Sequence, residues 1–254
     1  MIKRSRRTGA SFALAAVLAR TGSAVLRATA PGGRDRWERG NHAGRSVGLY
    51  AGPASAVAVA VGAGRVRPAA GFAVLAAGIC GAYDDVAGAR DPRRGFRAHL
   101  AALRDGEVTS GAVKLFGICG AGLVAGAVMK ERPLDKVLAG VVIAGAAHLV
   151  NLVDVRPARA AAVVLALGAP GLRKQGPGAE TAAAAMGAAA AVLPGDVAER
   201  TMLGDTGAHA LGAALGAAVV EGNGRAGLAV HAVALVTAAM CGDRVSALAR
   251  HSCE

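Results

Sequence analysis

Long apolar runs recur along the whole chain, separated by short segments rich in arginine, glycine and aspartate. They lie at about 9–29, 47–63, 69–83, 111–129, 137–153, 160–172, 181–194, 207–220 and 226–241. Inside lipid every backbone polar group must be satisfied within its own segment, so repeated runs of this kind predict membrane-crossing helices. Of the 254 residues 54% are hydrophobic and 18% charged, more apolar surface than a water-soluble domain of that length has room to bury. The expected fold is all-α, a polytopic transmembrane helical bundle of about nine spans. No polar linker is long enough to divide it, so 1–254 reads as a single integral membrane domain.

Several runs are shorter than the ~20 residues of a straight crossing. They carry small residues at close-packing spacing, as at Gly122 and Gly126 or Gly212 and Gly216. That predicts a tightly packed bundle and is compatible with a homodimer without requiring one. The net charge of +12 is nearly all arginine and lies mostly between the runs. In a membrane chain such charge faces anionic headgroups or phosphorylated substrates, not nucleic acid. Cys80, Cys119, Cys241 and Cys253 have no metal spacing, and the first three read as small hydrophobes. Lys3 to Arg7 followed by an apolar run could begin a signal peptide, but the many later runs favour a first transmembrane helix.

The apolar run from Ala69 to Tyr83 stops on two adjacent carboxylates, Asp84 and Asp85. Two acids beside lipid are costly unless a cation or basic partner faces them. The plainer alternative is that they mark the water boundary and cap the next segment. An arginine-rich loop comes next, in which 95–103 has helical periodicity with Phe96, Leu100 and Leu103 on one face, as for a helix lying in the interface. Lys114, near the start of the following run, is expected to snorkel to headgroups. The charged, glycine-rich segment 33–45 reads as a solvated loop.

Nine spans would put the loops at 33–45, 84–110, 154–159 and 195–206 on one membrane face. Asp84, Asp85, Asn151, Asp154, Asp196 and Asp205 would then gather there from distant parts of the sequence. Carboxylates converging with basic groups suit a divalent metal and a diphosphate, with oxygen ligands for Mg²⁺ and arginines for phosphate.

Three segments carry a family resemblance: Asp84-Asp85, Asn151-Leu152-Val153-Asp154, and Met202-Leu203-Gly204-Asp205-Thr206-Gly207-Ala208-His209-Ala210-Leu211-Gly212. In order and in placement at helix ends they resemble the polyprenyl-phosphate sugar-1-phosphate transferases. That superfamily includes phospho-N-acetylmuramoyl-pentapeptide transferase and the undecaprenyl-phosphate N-acetylglucosamine-1-phosphate transferases. The resemblance spans about 40–220. It implies a cytoplasmic-membrane enzyme with its active face in the cytoplasm, moving a sugar-1-phosphate from a UDP-sugar to a polyprenyl phosphate in cell-envelope polymer synthesis. By position, Asp205 would bind Mg²⁺, and Asp84 and Asp85 would be catalytic, Asp84 also touching the metal. Asn151 and Asp154, the basic segment containing Arg94 and Arg97, and Asn41 in the first polar loop would bind substrate.

The chain departs from the family at Gly88, where many relatives have lysine, and at Pro157, where they often repeat aspartate. The family's late histidine-rich loop has no counterpart, His251 being the one histidine after the last run. These departures keep a second reading open, a non-catalytic membrane protein that binds lipid phosphate and assists or regulates envelope assembly. A third reading, a small transporter, requires acids at mid-membrane depth.

Overall fold

The computed structural model describes residues 2–88, 93 and 95–251. Eleven α-helices are present among them: α1 (Ile2–Thr29), α2 (Ala51–Val66), α3 (Pro68–Ala87), α4 (Gly95–Arg104), α5 (Ser110–Met129), α6 (Pro133–Val153), α7 (Arg159–Gly168), α8 (Pro177–Val197), α9 (Gly204–Gly222), α10 (Arg225–Met240) and α11 (Gly242–His251). The apolar runs of the sequence become these helices. Proline stands in the first turn of α3, α6 and α8, where its missing N–H leaves no intrahelical bond unmade.

The fold is all-α in its bulk. Four helices, covering 6–29, 68–87, 110–129 and 133–153, are long and apolar enough to cross a membrane. A fifth is added if α10 and α11, bent by 79° at a short break, count together. The apolar α2 has 16 residues, under the length of a full crossing.

The organising element is α9. Residues all around it are buried, and α2, α3, α6 and α8 pack against it. Its face-to-face neighbours are built from Ala, Gly and Val, so helices approach backbone to backbone. A Cβ at Gly81 of α3 would overlap the Asp205 carbonyl, and one at Gly52 of α2 would overlap that of Leu203. Glycine is therefore what lets both helices reach the first turn of α9.

The segment expected to be a solvated loop is structured. Strands β1 (Glu38–Gly40) and β2 (Ser46–Gly48) form an antiparallel ribbon with Arg39 opposite Val47. The Asn41 side chain closes its turn by accepting from the N–H groups of Ala43 and Arg45, both at 2.9 Å. Trp37 stacks on Tyr50 with ring centroids 5.2 Å apart. Gly48 N–H donates to the Arg200 carbonyl and Met202 N–H to the Gly48 carbonyl, which ties the ribbon to the α8–α9 connection. Strands of three residues are too short to leave a period-2 signal, which is why the ribbon is hidden in the sequence.

Helix α4 occurs where the periodicity places it. Ala102 is buried, Leu100 and Leu103 are half-buried, and Arg104 is exposed. The side chains of Phe96 and Arg97, and all of Arg94, lie outside the described residues. After α10 the chain turns back: Ser246 Oγ of α11 donates to the Leu152 carbonyl at 2.8 Å, so α11 covers the end of α6.

Candidate functional site

The site begins at the first turn of α9. Gly204 has φ +58°, a left-handed backbone that disfavours any side chain, and a Cβ there would lie 3.0 Å from the Asp85 carboxylate. With that turn open, Asp85 reaches from α3 to the end of α9. Its Oδ1 accepts from the Asp205 N–H (3.0 Å), and its Oδ2 accepts from the Thr206 N–H (3.0 Å) and hydroxyl (2.6 Å). A carboxylate on the unpaired N–H groups of a helix start satisfies them and meets the positive end of the helix dipole. Asp85 is thus the cap of α9, fixed by three bonds, and it sets where Asp205 points.

Asp84 and Asp205 face one cation. Lys114 Nζ, from the first turns of α5, donates to Asp84 Oδ2 at 2.6 Å and also to Asp205 Oδ2. The ammonium side chain is 12% exposed, and the two carboxylates 18% and 26%. The snorkelling expected of Lys114 is therefore corrected. Its ammonium is held by two carboxylates from neighbouring helices instead. Gly88 lies directly against the Asp84 carboxylate and Ser110 Oγ, so a side chain at 88 would collide with both. Lysine from a different helix stands beside the acid at this point.

Around the triad is an open cavity of about 380 Å³, whose lining includes Asp84, Asp85, Asp205, Lys114, Asn151 and Met202. Arg39, Arg93 and His99 line it as well. Arg39 is held by donating from Nη2 to the Asp85 carbonyl at 3.2 Å. His99 Nδ1 is 3.0 Å from Thr109 Oγ1, which also caps α5 by accepting from Ala112 N–H. Behind the cavity His209 is fully buried, its Nδ1 donating to the Asp205 carbonyl at 2.7 Å and its Nε2 without a partner among the described residues. The His148 ring stands edge-on at 5.8 Å.

Asp154 and Asn41 occupy an adjoining smaller cavity of about 140 Å³ instead, with Asp196, Glu199, Arg156 and Met202. Asn41 Nδ2 donates to Glu199 Oε2 at 2.6 Å. Asp196 is buried and accepts from the N–H of Ala158, whose φ is +67°. Burial pushes the Asp154 carboxyl well above its ordinary range, reinforced by the charges of Asp196, Asp205 and Asp85.

Of the residues singled out from sequence, Asp84, Asp85, Asn151 and Asp205 therefore meet in one cavity. Asp154 and Asn41 share its neighbour. Arg94 and the Arg97 side chain lie outside the described residues. Among the described residues no group of three His, Cys, Asp or Glu is arranged around a metal position. Lys114, Arg39 and His209 belong to the site although the motifs do not include them in that role. For Lys114 a signal was available, because a lysine four residues into an apolar run is expensive without a partner.

No family model matches the chain, and no curated protein matches it.

Proposed function

We propose that the protein transfers a sugar-1-phosphate from a UDP-sugar to a polyprenyl phosphate at the cytoplasmic face of the cell membrane. The single observation that carries this reading is the Asp84–Lys114–Asp205 triad, open to a cavity that Arg39, Arg93 and His99 also line. Phosphoryl transfer asks the protein for positioning and charge compensation above all. Acids that hold a cation, beside basic groups that hold phosphate, supply both.

The donor set fits Mg²⁺. That ion keeps several waters and is commonly held by one or two carboxylates together with substrate phosphates. Asp84 and Asp205 would hold it, and when bound it supplies charge neutralisation at the diphosphate. Asp85 is spent on capping α9, so its part is to aim Asp205. Lys114 keeps the two carboxylates from repelling each other and is placed to grip a phosphate oxygen. Arg39, anchored to the Asp85 carbonyl, lines the same cavity for phosphate. The attacking phosphate monoester is already ionised at neutral pH, so no strong base is required, and none of these groups is asked to be one.

In this reading nine helices, namely α1, α2, α3 and α5 to α10, alternate between the two membrane faces, the 16-residue α2 and the 10-residue α7 as partial spans, with α4 and α11 at the site face. The starts of α5 and α9 and the ends of α3, α6 and α8 then share the cytoplasmic side, where nucleotide sugars are found.

One observation favours the second reading, a non-catalytic lipid-phosphate binder. Lys114 already neutralises the acid pair internally, and an ion pair of that kind needs no metal. The two readings separate in one assay. Purified protein, long-chain polyprenyl phosphate and Mg²⁺ are mixed with a panel of UDP-sugars, and UMP is measured. The transferase reading requires UMP that depends on both lipid and Mg²⁺. Lipid binding without UMP from any donor would give the second reading first place.

A further inference from the structure

A second polar cavity, of about 790 Å³, lies between α1, β2 and the end of α8, and it shares no lining residue with the Asp84–Lys114 cavity. Its charge is one-sided. Arg20 and Arg27 of α1, Arg34 before the ribbon and Arg200 after α8 line it, against one carboxylate, Glu38. None of the four arginines has an ion pair or side-chain hydrogen bond among the described residues, while Glu38 already accepts from Ser46 Oγ at 3.0 Å. Ser23, also in the lining, has a hydroxyl that is buried with no hydrogen-bond partner among the described residues. A buried, unsatisfied hydroxyl beside unpaired guanidinium groups is a donor set that suits an anion.

The placement on α1 says what kind of anion. Ala13, Val17, Arg20, Ala24 and Arg27 follow one another at spacings of four and three, so they form one stripe on the helix, and all five are exposed. The stripe is basic towards the end of α1 at the site face and apolar further in. Arg20 and Arg27 are separated by about 10 Å along the axis at ~1.5 Å per residue. Arginine two turns inside an apolar helix is costly unless an anion meets it. A free phosphate would use the arginines alone. A lipid uses both ends of the stripe.

We propose that this cavity binds the phosphate headgroup of a membrane lipid. Arg20, Arg27, Arg34 and Arg200 bind the phosphate oxygens, Ser23 Oγ donates to one of them, and the lipid chain runs along Ala13 and Val17. The site is separate from the one assigned to transfer, and it stands whether or not transfer occurs.

The test uses the full chain in neutral detergent, with bound lipid counted by native mass spectrometry. Phosphatidylglycerol, polyprenyl phosphate and inorganic phosphate are titrated in separate arms against the parent, R20A/R27A, R20K/R27K and R65A, the last at the far end of α2. The parent and R65A should retain a phosphate-bearing lipid, and R20A/R27A should bind it roughly tenfold to a hundredfold more weakly for the two charges removed. R20K/R27K, keeping the charge without the guanidinium fork, should fall between them and so report on the site independently of folding. The stronger of the two lipid arms identifies the headgroup class. Equal retention by R20A/R27A and parent would overturn the proposal, as would an equal loss in R65A. Displacement of the lipid by an equal concentration of inorganic phosphate would replace it with a free-anion site.

Discussion

Replacing Lys114 by methionine isolates what the ammonium does. The two side chains are similar in length and both suit an apolar helix, so the packing of α5 should survive while the charge is lost. Asp84 and Asp205 are then left as two carboxylates converging on one point, each less than a third exposed. At an effective dielectric near 20, each contact of this kind corresponds to roughly 4 kcal/mol of Coulomb energy at 4 Å before desolvation is subtracted. Breaking a buried pair by removing one partner typically costs about 3–5 kcal/mol, and partial exposure brings the expected loss here to about 2–4 kcal/mol. The vacated position is flanked by two hard oxygens, so a divalent cation should recover part of that loss. Thermal unfolding of parent and Lys114→Met, each with and without Mg²⁺, measures both effects. The variant should melt lower, and Mg²⁺ should raise its midpoint more than the parent's. A variant as stable as the parent, with no added response to Mg²⁺, would refute the claim that Lys114 holds this acid pair together.

Gly204→Ala should destabilise by about 1–3 kcal/mol, because a non-glycine residue is forced into a left-handed turn. Circular dichroism melting checks it, and an unchanged midpoint would mean that the turn relaxes. Asp85→Asn trades an acceptor for a donor facing the N–H groups of α9, at about 1–3 kcal/mol for the unsatisfied group. It should also lower any UMP release by displacing Asp205, and normal stability with normal turnover would remove Asp85 as the cap. The raised Asp154 carboxyl has a defined pH signature. Its contribution to stability is fully present below the ordinary carboxylate value and is lost as pH rises towards the folded-state value. The stability of the parent relative to Asp154→Asn should therefore fall as pH is raised from the acid side, and a difference that does not change with pH would contradict the raised value.

Much of the bundle was legible because an apolar run between arginines has few alternatives in lipid. The acid pair was legible for a related reason, since charge at the end of such a run demands a partner, whereas Asp205 was legible through the family resemblance. The partner itself was not. Lys114 lies thirty residues beyond Asp84, and only the packing of α3, α5 and α9 brings Nζ to both carboxylates. Asp196 illustrates the opposite error. It stands outside every motif and reads as a loop acid, yet it is buried and holds the Ala158 N–H. The division of the acids between two neighbouring cavities, with Asp154 and Asn41 in the smaller, depends on the ribbon at 38–48. Strands that short are set by tertiary contacts rather than by their own sequence.

The proposed metal-dependent transfer rests above all on Asp205, and Asp205→Asn tests it most directly. Asparagine keeps the shape and the first turn of α9 but removes one anionic oxygen from the pair that would hold Mg²⁺. UMP release is measured for parent and variant at matched protein, polyprenyl phosphate and UDP-sugar, across a Mg²⁺ titration. We expect lipid- and Mg²⁺-dependent UMP from the parent, and a loss of orders of magnitude in the variant that excess Mg²⁺ restores in part at best. Full turnover by Asp205→Asn, at any Mg²⁺ concentration that supports the parent, would contradict that role.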